Sequence, residues 1–235
     1  MKLTPVKTCL FSEGDDLPRF IVSHIPSVTE KTVLAVSSKL TGLWKKQTVP
    51  YENQAQKETL IQKESTACLK TSLAWLTVKN GMMMTNAGID ESNADGKLIL
   101  LPQDCYACAA EIREQLCALW KVSNLGIIIV DSMILPLRAG IVGAAVGYSG
   151  IKGVKDLRGQ KDIFGRPLQT TLVDCSDSLA AAATLLMGEA DEQCPLCVIE
   201  DAPVCFTEKT DPTEIRYPAK DDLYAPLLKA VKLIK

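Results

Sequence analysis

Residues 125–131, LGIIIVD, form a continuous apolar run that ends in an acid. A run of this kind reads as a strand buried on both faces. TVLAVSS (32–38) is a second strand candidate, and TSLAWLTV (71–78), GMMMTN (81–86) and KLILLP (97–102) are others. Lys79-Asn80-Gly81 lies between two of them, and its Asn-Gly pair signals a tight hairpin. Helices alternate with these strands. ENQAQKETLIQKES (52–65) is polar and helix-compatible. DCYACAAEIREQLCALWKV opens on Asp104 as an N-cap, with Ala109, Ile112, Leu116 and Leu119 at helical spacing. SDSLAAAATLLMGEA (176–190) reads as a helix capped by Ser176 or Asp177 and ending near Gly188. The element order is mixed, so the class is α/β or α+β. The 139–153 segment is rich in small residues that permit close backbone approach.

The chain of 235 residues is long enough to bury its own core and reads as one unit, 1–235, or as two lobes whose boundary no composition shift marks. A formal net charge of -2, with Lys and Arg spread along the chain, argues against a nucleic-acid binder. No apolar run reaches membrane-spanning length, and the N-terminus turns acidic where a signal peptide would be apolar. The expected location is cytoplasmic, with no membrane partner. The nine cysteines are therefore expected to be reduced. Two CxxC pairs, Cys105/Cys108 and Cys194/Cys197, hint at zinc. Their helix-like and strand-like settings favour structural thiols instead.

The single histidine, His24, makes a hydrolytic triad or an HExxH site untenable, and it reads as a surface or packing residue. No P-loop and no GxGxxG after a strand occur. The polar stretch MTNAGIDESNADG (84–96) is not an EF-hand, because positions five, six and twelve from Asp90 are Ala94, Asp95 and Leu101. What remains is a dispersed oxygen-donor set: Asp90 in that loop, Asp131 and Ser132 after the buried run, and Glu189 after TLLMG. Carboxylates and a hydroxyl suit hard cations such as Mg²⁺ or Mn²⁺, which commonly accompany phosphates. The competing reading is that Asp131 caps a turn and Glu189 is merely solvated.

Longer stretches carry a family resemblance: SEGDDL (12–17), VLAVSSK (33–39), NAGIDESN (86–93), IIIVDS (127–132), RAGIVGAAVGYSGIKGVKDLRGQKDIFGRPLQTT (138–171) and LAAAATLLMGEA (179–190). Through them the chain resembles the coenzyme F420-0:γ-glutamyl ligases over nearly its whole length. The resemblance implies an α/β (mixed α+β) fold of mixed sheets with flanking helices, a homodimer, and amide formation between L-glutamate and the carboxylate of a coenzyme acceptor. It also implies GTP as substrate, two Mg²⁺ or Mn²⁺ ions, and K⁺ as a further ion. Asp90 would bind the first metal and Asp131 would sit between both. Ser132 stands where a threonine usually ligates the second, and Glu189 would line that metal and the phosphates. Asp90, Asp131 and Glu189 would thus be the catalytic set. Asn93 with Met187, Gly188, Ala190 and Asp191 of the 187–194 segment would contact the nucleotide. Cys9, Leu10, Phe11 and Ser12, with Ser37, Ser38 and Lys39, would complete its pocket.

The chain departs from the family pattern in three places. MILPLR (133–138) replaces a G-R-P-type stretch, GLWKKQ (42–47) replaces S-K-x-E-G-R, and Glu200-Asp201 replaces Arg-Gly. These changes remove basic residues suited to a phosphodiester-bearing deazaflavin, so a folate-type acceptor is expected at least as strongly. The rival to an enzyme is a nucleotide- or metabolite-binding module on the same scaffold.

Overall fold

The structure is a computed structural model and describes residues 1–234. Its first half runs β1 (Lys2–Val6), α1 (Leu17–His24), β2 (Thr32–Ser37), α2 (Ser38–Trp44), β3 (Thr48–Pro50), α3 (Gln54–Glu64), β4 (Ala67–Lys70), β5 (Trp75–Lys79), β6 (Met82–Thr85) and β7 (Lys97–Ile99). Then follow α4 (Cys105–Trp120), β8 (Leu125–Ile134), β9 (Ile141–Ser149), β10 (Val154–Asp156), β11 (Leu172–Asp174), α5 (Cys175–Met187), β12 (Leu196–Glu200) and α6 (Ala225–Ala230).

The main sheet has the order β1-β12-β2-β8-β9. Only β2 and β8 pair in parallel; the other neighbours are antiparallel. The fold is therefore mixed α/β, with flanking helices and smaller accessory sheets. The apolar run at 125–130 is buried throughout, as a strand covered on both faces must be. Its side chains alternate between two cores. Ile127 and Ile129 pack with Leu17 and Ile21 of α1 and with Ile112 and Leu116 of α4. Ile128 and Val130 pack with Leu179, Ala180 and Ala183 of α5. A third, smaller cluster joins Ile61, Ile89, Leu98 and Leu100.

Local chemistry explains most element ends. Asp104 caps α4, its carboxylate accepting from the backbone N–H of Tyr106 and Ala107, each at 2.9 Å. Asn80 and Gly81 take φ of 52° and 78° between the paired Lys79 and Met82, the left-handed pair a two-residue hairpin turn requires.

Some sequence expectations need correction. The cap of α5 is Asp174, which accepts from the Asp177 N–H, rather than Ser176 or Asp177. KLILLP gives only a short strand, Lys97–Ile99, and β5 starts at Trp75, because Thr71 closes a turn onto Ala74. Leu119 is 47% exposed. Leu116 packs in the core and Trp120 donates from Nε1 to the Ile25 carbonyl at 2.9 Å, so these two carry the contact to α1 and Leu119 turns outward. Asp131 does not end its strand. β8 continues to Ile134, but beyond Val130 it is paired only with β9, since β2 stops at Ser37 opposite Val130.

The cysteine pairs separate across the sheet. Cys105 and Cys108 pack in the α4 core, and Cys197 packs in the α5 core. Burial pushes the thiols of Cys105 and Cys108 up to about 12 and that of Cys197 up to about 11. His24 is a packing residue: Nε2 accepts from the Cys9 N–H at 3.3 Å, which leaves Nδ1–H to donate to the Phe20 carbonyl at 2.9 Å. Among the described residues, no helix is long and apolar enough to cross a membrane.

Candidate active site

A cavity of about 290 Å³ lies at the carboxyl end of β2 and opens beside Asp131. Three separate chain segments supply its acids Asp90, Asp131 and Glu189. β2 ends where β8 still runs on, so Asp131 and Ser132 project just past the parallel pair, at the start of α2. This is where open α/β sheets place ligand contacts. The loop before β7 brings Asp90 and Asn93. The turn after α5 brings Glu189.

Each acid has a defined neighbourhood. Ser38 Oγ donates to Asp131 Oδ1 at 2.9 Å. Burial pushes the Asp131 carboxyl up to about 6, against the hydrogen bonds from Ser38 and the Ser132 N–H. Asp90 is held by Lys39 Nζ at 2.9 Å, by the Ser92 N–H at 2.8 Å and by Ser92 Oγ at 3.0 Å. Burial works to raise its pKa, but Ser92 and Lys39 outweigh that and hold it below the usual carboxylate value. Ser132 Oγ donates to Glu189 Oε1 at 2.7 Å. Asn93 Nδ2 donates to the Ala190 carbonyl at 3.0 Å, tying two sides of the cleft together. The polar loop at 84–96 is thus divided: Asp90 and Asn93 line the cavity, while Glu91 turns to Lys57 at 3.2 Å.

The cavity wall holds Cys9, Leu10, Phe11, Ser37, Ser38, Lys39, Asp90, Asn93, Asp131, Ser132, Met187, Gly188, Glu189, Ala190 and Asp191. Ser12 stays outside; its N–H is used on Asp15 Oδ2 in a local turn. The sequence reading missed Thr8, Leu40, Leu43, Val130, Thr184 and Pro195. Two of these had a signal: Val130 directly precedes Asp131, and Thr184 lies one helical turn before Met187 and Gly188. Thr184 Oγ1 is buried without a hydrogen-bond partner.

The segments singled out for acceptor choice do not converge. Glu200 pairs with Lys2 at 2.9 Å and lies at the opposite end of the sheet from this cavity, with Asp201 beyond it. Trp44 packs on the α1–α4 core under Lys45 and lines no part of the cavity. Met133 is core, while Ile134, Leu135 and Leu137 are exposed at the β8–β9 tip.

By donor type, though not by their present spacing, these residues suit a hard divalent ion. All donors are oxygens, and the Asp131 carboxylate is buried with hydroxyl and amide partners and, among the described residues, no directly paired cation. Among the described residues, no group of at least three His, Cys, Asp or Glu side chains is closely enough gathered to hold a metal. Here Lys39 neutralises Asp90, and Glu189 is taken by Ser132.

The model of the F420-0:Gamma-glutamyl ligase family matches residues 5–201. Curated relatives named coenzyme F420:L-glutamate ligase align with the chain. One from Methanococcus maripaludis (strain C6) is 43% identical over 143 residues, covering 61% of this chain and 57% of the relative. One from Methanopyrus kandleri is 46% identical over 122 residues, covering 52% of this chain and 48% of the relative. One from Archaeoglobus fulgidus is 31% identical over 207 residues, covering 81% and 83%. The chain thus spans about half the length of several relatives it matches and most of another. With the family match running from the end of β1 through the acid cleft to β12, this chain belongs to the F420-0:Gamma-glutamyl ligase family.

Proposed function

We propose that the chain is a GTP-dependent, divalent-metal-dependent ligase that joins L-glutamate to the carboxylate of a coenzyme acceptor in the cytoplasm. The observation that carries this reading is the convergence of Asp90, Asp131, Ser132 and Glu189 from three distant segments on one cleft.

A carboxylate cannot expel hydroxide when an amine attacks. Transfer of the γ-phosphoryl group of GTP to the acceptor carboxylate gives an acyl phosphate and GDP. Attack by the glutamate amine then forms the amide and releases phosphate, with the amine proton passing to solvent. Such phosphoryl transfer asks for positioning and charge neutralisation more than for covalent help. Asp90, Asp131, Ser132 and Glu189 would hold the divalent ions, which when bound neutralise phosphate oxygens. Ser38 fixes the Asp131 carboxylate through its hydrogen bond. Lys39 carries a positive charge beside Asp90 that a phosphate oxygen can share. Asn93 holds the 84–96 loop against Ala190, so both sides of the cleft keep their spacing.

The F420-type acceptor is favoured by the names of the relatives. A folate-type acceptor uses the same chemistry, and the two are separated by one assay. Phosphate release from GTP with Mg²⁺ or Mn²⁺ should require both L-glutamate and a carboxylate acceptor, and a chelator should abolish it. Release from neither a deazaflavin nor a folate acceptor would favour a binding module instead. A homodimer is part of the same proposal, supported by exposed Ile134, Leu135, Leu137 and Ile141 at the β8–β9 tip. A monomer in sedimentation at micromolar concentration would remove it.

A further inference from the structure

A second cavity, of about 580 Å³, opens at the free edge of β9. It shares no wall residue with the acid cleft. Yet the two lie on neighbouring strands. Val130 lines the first and its direct partner Ala145 lines the second, and paired strands are only about 4.8 Å apart. The register slips between Ile129 and Val130, leaving Val146 unpaired, and this bulged residue also faces the second cavity.

The wall chemistry narrows the ligand. Met82, Met83 and Met84 of β6 contribute to the wall, and methionine is a conformable and polarisable partner for a flat ring. Tyr106 also lines it, braced edge-on by Tyr148 at 5.1 Å between ring centroids, with the Arg216 guanidinium 5.8 Å from the Tyr106 ring. In the wall, Asp177 accepts from the Ala145 N–H at 2.8 Å through Oδ1, and its carboxyl also shares a hydrogen bond with that of Asp174. Burial and the nearby Asp174 charge both raise the Asp177 pKa.

The charge balance excludes anions. Asp104, Asp174, Asp177 and Asp222 all line the cavity. Among the described residues its cations are Lys79, tied to Glu64 at 2.8 Å, and Arg216. A phosphate group or a glutamate with its two carboxylates would meet more negative than positive charge here. A neutral planar ring with N–H donors meets aromatic and sulfur surface and carboxylate acceptors. Part of the wall, residues 212–222, lies outside the stretch matched by the family.

We propose that this cavity binds the planar, N–H-bearing heteroaromatic ring of the carboxylate acceptor, whose tail carries the carboxylate around the β8–β9 pair to Asp131. The proposal rests on the ligase reading for the role of the tail. Deazaflavin and pteridine rings share the required chemistry.

Two variants test it. Arg216→Ala removes an exposed side chain, and Asp177→Asn keeps an oxygen for the Ala145 N–H. Folding of both is checked by melting temperature. A deazaflavin acceptor and a pteroate are titrated separately, without nucleotide, by ligand fluorescence, and GTP and L-glutamate are titrated in parallel by calorimetry. For at least one of the rings, the dissociation constant is expected to rise about tenfold in each variant, or about 1.4 kcal/mol. Those for GTP and glutamate are expected to stay within about twofold of wild type. Unchanged ring binding in both variants overturns the proposal. So does weakening of glutamate or GTP instead, or a wild-type chain that binds neither ring. Ring binding that the variants weaken, in a chain that releases no phosphate, would keep the cavity assignment and discard the ligase reading.

Discussion

Asp131→Asn is expected to lower ligase turnover by at least about a thousandfold, the consequence of losing about 4 kcal/mol of charge stabilisation in the transition state. The amide has the same shape and keeps an oxygen for the Ser38 hydroxyl, which now donates to Oδ1 at 2.9 Å. What it lacks is the negative charge that would hold the divalent ions. The fold should survive. Burial disfavours the ionised Asp131 in the folded chain, so a neutral side chain there relieves a cost. The melting temperature of the ion-free protein is expected to be unchanged or higher. Phosphate release at saturating Mg²⁺ or Mn²⁺, read beside circular dichroism, decides the matter. Near-normal turnover would remove Asp131 from the reaction. A large fall in melting temperature would make its role structural.

Gly143→Val is expected to cost about 3 kcal/mol, the upper range for an overpacked core, and to lower the melting temperature by roughly 6–10 °C for a chain of this size. A Cβ at this position would stand 2.1 Å from Thr184 Oγ1 and 2.6 Å from the Ala180 carbonyl. The second contact is backbone, so no rotamer change relieves it. Helix α5 must back away from β9. That helix leads directly into Met187, Gly188 and Glu189, so the shift would also loosen the 2.7 Å hydrogen bond from Ser132 to Glu189. Turnover should fall by about a hundredfold, as expected for a displacement near 1 Å at a positioned group. A variant that melts within about 1 °C of wild type would show that α5 is not seated on Gly143.

The sequence alone carried the central strand, because a segment buried on both faces must be apolar at every position, and 125–130 is. It carried the β5–β6 turn, because Asn-Gly is chemically suited to two successive positive φ values. The family resemblance grouped the acids Asp90, Asp131 and Glu189, and the structure brings all three to one cleft. The same reading misplaced local details. Asp131 looked like a strand end because the apolar run stops there, but polarity marks loss of one neighbour, β2, while pairing with β9 continues. Ser176 and Asp177 looked like caps because several suitable residues stand together, and the backbone chose Asp174.

Only the tertiary structure decided which polar residues meet. Asp90 faces Lys39 and Glu91 faces Lys57, although they are adjacent in sequence, because successive side chains of an extended loop leave in different directions. Glu200 and Asp201 fall at the far end of the sheet because β12 runs antiparallel to β2, so its first residues, not its last, approach the cleft. The second cavity has no sequence signature at all. Its walls come from β6, the start of α4, the bulged β9, the start of α5 and the C-terminal segment, and periodicity reports only neighbours along one element. Composition and pattern thus determine which segments are strands and helices, because burial acts on each segment separately. The meeting of those segments at a site is set by strand direction, register and helix packing, which are properties of pairs.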